Sequence, residues 1–162
     1  MKRLLMVVAV AAAAAGAFAL VNGAAGKGKP PHAGGKGRPA AGKVIHVIEH
    51  ATTDTVIDAA PAGDSRGDTL AFANAVFDAA DAVAVGSDQG SCVRTVPGQA
   101  YECNWTTFLP GGQITVEGPF FDTKPSTVAI TGGTGRYQNA RGSMELSVRN
   151  ATEFDFIFHV IG

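Results

Sequence analysis

Residues 129–142 read AITGGTGRYQNARG and hold four glycines and two arginines. Either they cradle a phosphate or they form the corner of a sheet. A Walker-type loop needs G-x-x-x-x-G-K-[ST] between a parallel strand and a helix. TGGTGRY has neither that spacing nor the lysine, and G-x-G-x-x-G is missing too. No helix N-terminus follows to offer backbone N–H groups to an anion, because the residues after Tyr137 read as strand. The glycines therefore serve tight turns and close strand approach, and the segment is expected to be a barrel corner.

On both sides of this corner the pattern has period two. KVIHVIEH (43–50) sets Ile45, Val47 and Glu49 on one face and His46, Ile48 and His50 on the other. DTLAFANAVFD, VAVGSDQGSCVRTV, AYECNWTTFL, GQITVEGPFF, STVAIT, RGSMELSVR and TEFDFIFHVI follow, separated by glycine, proline and aspartate clusters. The alanine-rich FDAADA reads as a helical turn or as a loop joining two strands. About eight strands and no long helix predict an all-β, antiparallel closed barrel or a sandwich; closure removes the edges. On the last strand Phe154, Phe156, Phe158 and Val160 share a face, which fills the interior or lines an apolar cavity.

The barrel is expected to span 44–162. Residues 1–25 run from Lys2 and Arg3 through an uncharged apolar stretch to small residues, the layout of a secretory signal peptide, so the protein is expected to be secreted. Residues 26–43, GKGKPPHAGGKGRPAAGK, hold no large apolar side chain and read as a flexible basic linker, with possible weak contact to an anionic surface. Seven of the 13 basic residues precede residue 44, leaving six against 14 acidic ones, a net charge of −8 for the barrel. That balance argues against nucleic acid as a partner, because phosphate contacts dominate such binding.

Cys92 and Cys103 are the two cysteines, placed about the Pro97–Gly98 turn so that a hairpin centred there would set them opposite each other. In an exported protein such a pair is expected to be a disulfide. It would close a loop of about ten residues, worth roughly 2–3 kcal/mol. The competing readings are a metal-binding or nucleophilic pair, for which no His/Cys cluster stands nearby in sequence. His46 and His50 lie about 13 Å apart along a strand, too far to share a metal. No metal site is expected.

RGDTLAFANAVFD, VGSDQGSCV, GGQITVEGPFF and AITGGTGRYQNARGSMEL together resemble the allene oxide cyclase and dirigent barrel superfamily, a resemblance that covers most of residues 44–162. It implies an eight-stranded antiparallel barrel with an apolar pocket, often trimeric, without cofactor. It also implies that Glu49, at the place of the family's first-strand acid, is the catalytic group. A carboxyl that interrupts an apolar face should have a raised pKa, which suits proton transfer. Cys92 matches a pocket cysteine of the plant cyclases, whereas Ala51 and Asp58 stand where those enzymes have an asparagine and a proline. Their water-orienting and substrate-positioning groups are therefore not carried over. Tyr101, Trp105, Tyr137 and Phe154 are the candidate substrate-binding residues. The expected function is a cofactor-free isomerase or cyclase acting on a small hydrophobic molecule. The alternatives are a non-enzymatic, dirigent-like binder of such a molecule and a purely structural, surface-tethered oligomer.

Overall fold

The computed structural model describes residues 42–162; the expected signal peptide and nearly all of the linker lie outside them. The strands are β1 (Lys43–His50), β2 (Thr55–Ile57), β3 (Thr69–Asp78), β4 (Ala84–Val96), β5 (Ala100–Leu109), β6 (Gly112–Phe121), β7 (Ser126–Gly135), β8 (Arg141–Val148) and β9 (Glu153–Ile161). All pairings are antiparallel, and each strand from β3 to β9 pairs with the next. β1 lies between β9 and β3 and closes the ring, so the fold is an eight-stranded barrel with the short β2 added outside on β3. FDAADA is the loop alternative, since β3 runs to Asp78 and a turn carrying Asp81 at φ 57° leads into β4.

Period two places the core. Val47, Val76, Cys92, Cys103, Trp105, Ile114, Val116, Val128, Ile130, Met144, Leu146, Phe156 and Phe158 fill one interior. The aromatic face of β9 points inward, and Phe156 and Phe158 meet edge to face at 6.5 Å. The outer face carries polar pairs. His46 bonds Asp155 and His50 bonds Asp81, each at 2.7 Å, so the two histidines serve separate contacts. His50 also stacks on Phe77 at 4.0 Å, and Glu153, its register partner on β9, accepts a bond from Asn150. The two histidine pairs tie β1 to β9 and to the turn after β3.

The glycine-rich stretch is the corner it was expected to be. β7 pairs with β8 only over Ser126–Ile130, while its tail, Gly132–Gly135, stays on β6 alone. A register shift at Thr115/Val116 marks where the strand bends. Gly135 takes φ 57° to enter the turn, and the Arg136 N–H closes onto the Gly111 carbonyl at 2.8 Å. Gly133 answers a different need: a Cβ there would meet the carbonyl oxygens of Gln113 and Tyr137 at 2.5 Å.

Cys92 and Cys103 are register partners on β4 and β5 and form the disulfide. Neither is a free thiol. At the same end of the barrel Arg94 is held between Asp64 and Asp122, with N–O distances of 2.7 Å to each; the Asp64 contact is an ion pair without hydrogen-bond alignment. Its guanidinium lies 3.6 Å above the Tyr101 ring. This clamp ties the loop after β2 to the barrel.

Gly133→Ala is expected to destabilise the protein by about 1–3 kcal/mol, because backbone must move to admit the methyl group. Urea unfolding should show a lower midpoint at unchanged slope. An unchanged midpoint would mean that the corner does not need the close approach.

Candidate active site

β1 alternates Ile45, Val47 and Glu49 toward the interior, so the last inward position of the strand is an acid. Glu49 is 6 % exposed, between Val76 of β3 and Phe154 of β9. β3 brings Asn74 inward and β4 brings Asp88 opposite it, and both are fully buried.

The Asn74 amide joins these groups. Its Nδ2 donates to Glu49 Oε1 and to Asp54 Oδ1, each at 2.8 Å. Its Oδ1 accepts from the backbone N–H groups of Thr52 and Thr53 at 3.1 and 3.0 Å, and from the Thr53 hydroxyl at 3.0 Å. Its own N–H lies 3.3 Å from Asp88 Oδ1. One side chain thus orients Glu49 and fixes residues 51–54, which carry Asp54 over the barrel end.

Burial pushes the Glu49 carboxyl up to about 7; the Asn74 hydrogen bond opposes this, the Asp54 charge adds to it, and a hydrogen bond with Asp88 opposes it. Burial, followed by the Glu49 charge, pushes Asp88 up to about 9. Asp88 Oδ2 has no donor among the described residues, and two facing carboxyls satisfy each other only when one carries a proton. Glu49 and Asp88 therefore titrate as a pair, and near neutral pH the pair keeps a proton that both carboxyls can hold. Such a pair can take up a proton and give one back.

Glu49 opens onto a cavity of about 120 Å³ walled by Leu70, Phe72, Trp105, Phe154, Phe156 and the Cys92–Cys103 disulfide, with Asp54 and Phe120 also on its lining. Asp54 is exposed and Leu70, Phe72, Phe120 and Phe154 are half-buried, so the cavity reaches the surface at this end. The structure brings Glu49, Trp105 and Phe154 together and leaves two candidates elsewhere. Tyr101 is covered by Arg94 and does not line the cavity; its ring lies 6.5 Å from that of Phe120, which does. Tyr137 is buried in the turn before β8, with Lys43 Nζ 5.7 Å from its ring. A tyrosine's residue type alone does not reveal which end of a barrel it occupies.

Sequence reasoning passed over Asn74, Asp88 and Asp54. For the first two a signal existed. Asn74 interrupts the inward series Leu70, Phe72, Val76, and Asp88 shares the inward phase of Cys92. A polar residue in phase with core positions is either paired or functional. Asp54 had no such signal, because it stands in a loop.

Both raised carboxyls make the folded protein bind more protons than the unfolded chain between about pH 4 and about pH 9. Their contribution to stability is full at the acidic end and is lost as pH rises through about 7 and then about 9. The melting temperature should therefore fall on going from about pH 5 to about pH 9. Asp88→Asn should flatten that fall and melt higher at the alkaline end, by roughly 2–8 °C per kcal/mol of relieved burial cost. Calorimetry across the pH range checks this. A wild-type profile parallel to that of the variant would mean that Asp88 is ionised in the folded protein.

The family model of the allene oxide cyclase barrel like domain matches residues 47–155. A solved structure described as a pyocyanin demethylase superposes with a TM-score of 0.63 at 27 % identity, covering 72 % of this chain and all of the other. A pterocarpan synthase dirigent protein gives a TM-score of 0.59 at 18 % identity, covering 74 % of this chain and 89 % of its own. An exo-specific intermolecular Diels-Alderase gives 0.59 at 14 % identity, covering 75 % and 98 %; the latter two likenesses speak for the fold alone. With the closed eight-stranded barrel and the matched span in hand, the chain belongs to the allene oxide cyclase barrel-like family.

Proposed function

We propose that the protein is a cofactor-free isomerase or cyclase that moves a proton on a small hydrophobic substrate held in the barrel cavity. The observation that carries this reading is the Glu49–Asp88 pair, with Glu49 on the cavity wall and Asp88 behind it. The Glu49 carboxylate takes a proton from carbon or oxygen of the substrate, or faces positive charge as it develops there. The proton returns at a second position, so the composition of the substrate is unchanged. Asp88 supplies hydrogen bonding to whichever form of Glu49 is present. The aromatic walls hold the substrate in one conformation and keep water away from the reacting atoms. Tyr101 and Tyr137 have no part in this reading.

Export is part of the same proposal, and the disulfide is consistent with an extracellular protein. The second reading, a non-enzymatic binder, uses the same apolar cavity and asks nothing of the proton.

A neutral, planar probe separates the two. Removal of the ring C–H proton of 5-nitrobenzisoxazole breaks the N–O bond in the same step and releases a coloured cyanophenolate, so the rate reports a positioned base directly. The protein should accelerate this elimination, with a rate that rises with pH through about 7. Glu49→Gln should lose about 10²-fold or more of the acceleration while still binding the probe. A rate that is the same in wild type and Glu49→Gln overturns the catalytic reading and leaves the binder.

A further inference from the structure

The cavity is one-sided in charge. Among the described residues, its lining carries the carboxyls of Glu49 and Asp54 and no lysine, arginine or histidine. Asp88 lies behind Glu49 and shares a proton with it, so near neutral pH the pair carries at most one negative charge beside that of Asp54. Arg94, which covers the Tyr101 ring beside Phe120 of the lining, is already engaged by Asp64 and Asp122. An anion entering here would meet like charge in a low-dielectric setting without a counter-ion. A neutral hydrocarbon would gain only from the walls.

A cation gains twice. It neutralises the carboxyls, and it meets the electron-rich faces of the rings around it. Those rings are arranged as walls: Phe72 stands edge-on to Trp105 at 6.4 Å, Trp105 is tilted against Phe156 at 5.7 Å, and Phe120 stands edge-on to Phe154 at 6.2 Å. The enclosed volume, about 120 Å³, is slightly below the roughly 150 Å³ of a dry cavity that admits benzene. One ring would fill it, and a fused second ring would lie at the open rim beside Leu70, Phe120 and Phe154.

We propose that the pocket's ligand is a flat aromatic cation, an N-alkylated or N-protonated nitrogen heterocycle. Its ring lies against Phe72, Trp105, Phe154 and Phe156, and its positive charge sits beside Glu49 and Asp54. This names the substrate class of the site and rests on the same pocket as the proposed function.

Trp105 is the chain's one tryptophan and lines the cavity, so its fluorescence reports occupancy. The full-length protein is titrated by calorimetry and by tryptophan fluorescence with three probes of one shape: N-methylquinolinium, quinoline in its neutral form and 1-naphthoate. The expected order is N-methylquinolinium at least about tenfold tighter than quinoline, with naphthoate unbound. Glu49→Gln and Asp54→Asn should each weaken the cation and leave quinoline unchanged, and the double variant should erase the preference. Equal or tighter binding of quinoline or naphthoate overturns the inference. So does a cation preference that survives in the double variant, a bound cation that leaves Trp105 unaffected, or no binding at millimolar concentration. These are equilibrium measurements. A lost cation preference beside Glu49-dependent elimination sinks this inference alone, and the reverse result sinks only the catalytic reading.

Discussion

Two carboxyls inside an apolar barrel set the terms for the rest of this structure. A buried carboxylate without partners is too costly to keep, so its surroundings must supply hydrogen bonds or it must stay protonated. Here both answers are used. Asn74 gives hydrogen bonds to Glu49, and Glu49 and Asp88 hold a proton between them. Because the Asn74 oxygen also accepts from Thr52 and Thr53, the bonds that tame the acids also close the loop over them. The chemistry of the site and the position of its rim are one network.

The barrel makes that network rigid. Asn74 and Asp88 are register partners on neighbouring strands, and Glu49 sits two register positions away across β3. Slipping any of the three strands by one residue would turn Glu49, Asn74 or Asp88 outward and an outer residue inward. The glycine corner on β6 and β7, the disulfide on β4 and β5 and the Arg94 clamp all restrict such slippage. The disulfide has a second effect: it converts the two cysteines into an inert part of the pocket wall.

A shared barrel does not dictate a shared reaction, since function lives in the side chains grafted on the frame. This pocket combines acids, with no facing base among the described residues, and aromatic walls on several strands. The plant-type asparagine and proline positions are held by Ala51 and Asp58, and neither lines the cavity. Asp54, three residues beyond Ala51, reaches the pocket lining, so the loop after β1 contributes charge to this site.

The sequence by itself determined the eight barrel strands but not β2, the inward faces of β1 and β9, the turn glycines and the expected pairing of Cys92 with Cys103. These depend on period two and on short-range geometry, which neighbouring residues encode. It also pointed to Glu49 as an acid out of place on an apolar face. The interruption of the inward series at Asn74 was equally visible, but its meaning was not. Only the tertiary structure decided that Glu49, Asn74, Asp54 and Asp88 meet, and that Tyr101 and Tyr137 stand apart from the cavity. Such contacts depend on barrel closure and on the stagger of the strands. That stagger arises from bulges and from the joining of β1 to β3, a constraint that no single stretch of the chain contains.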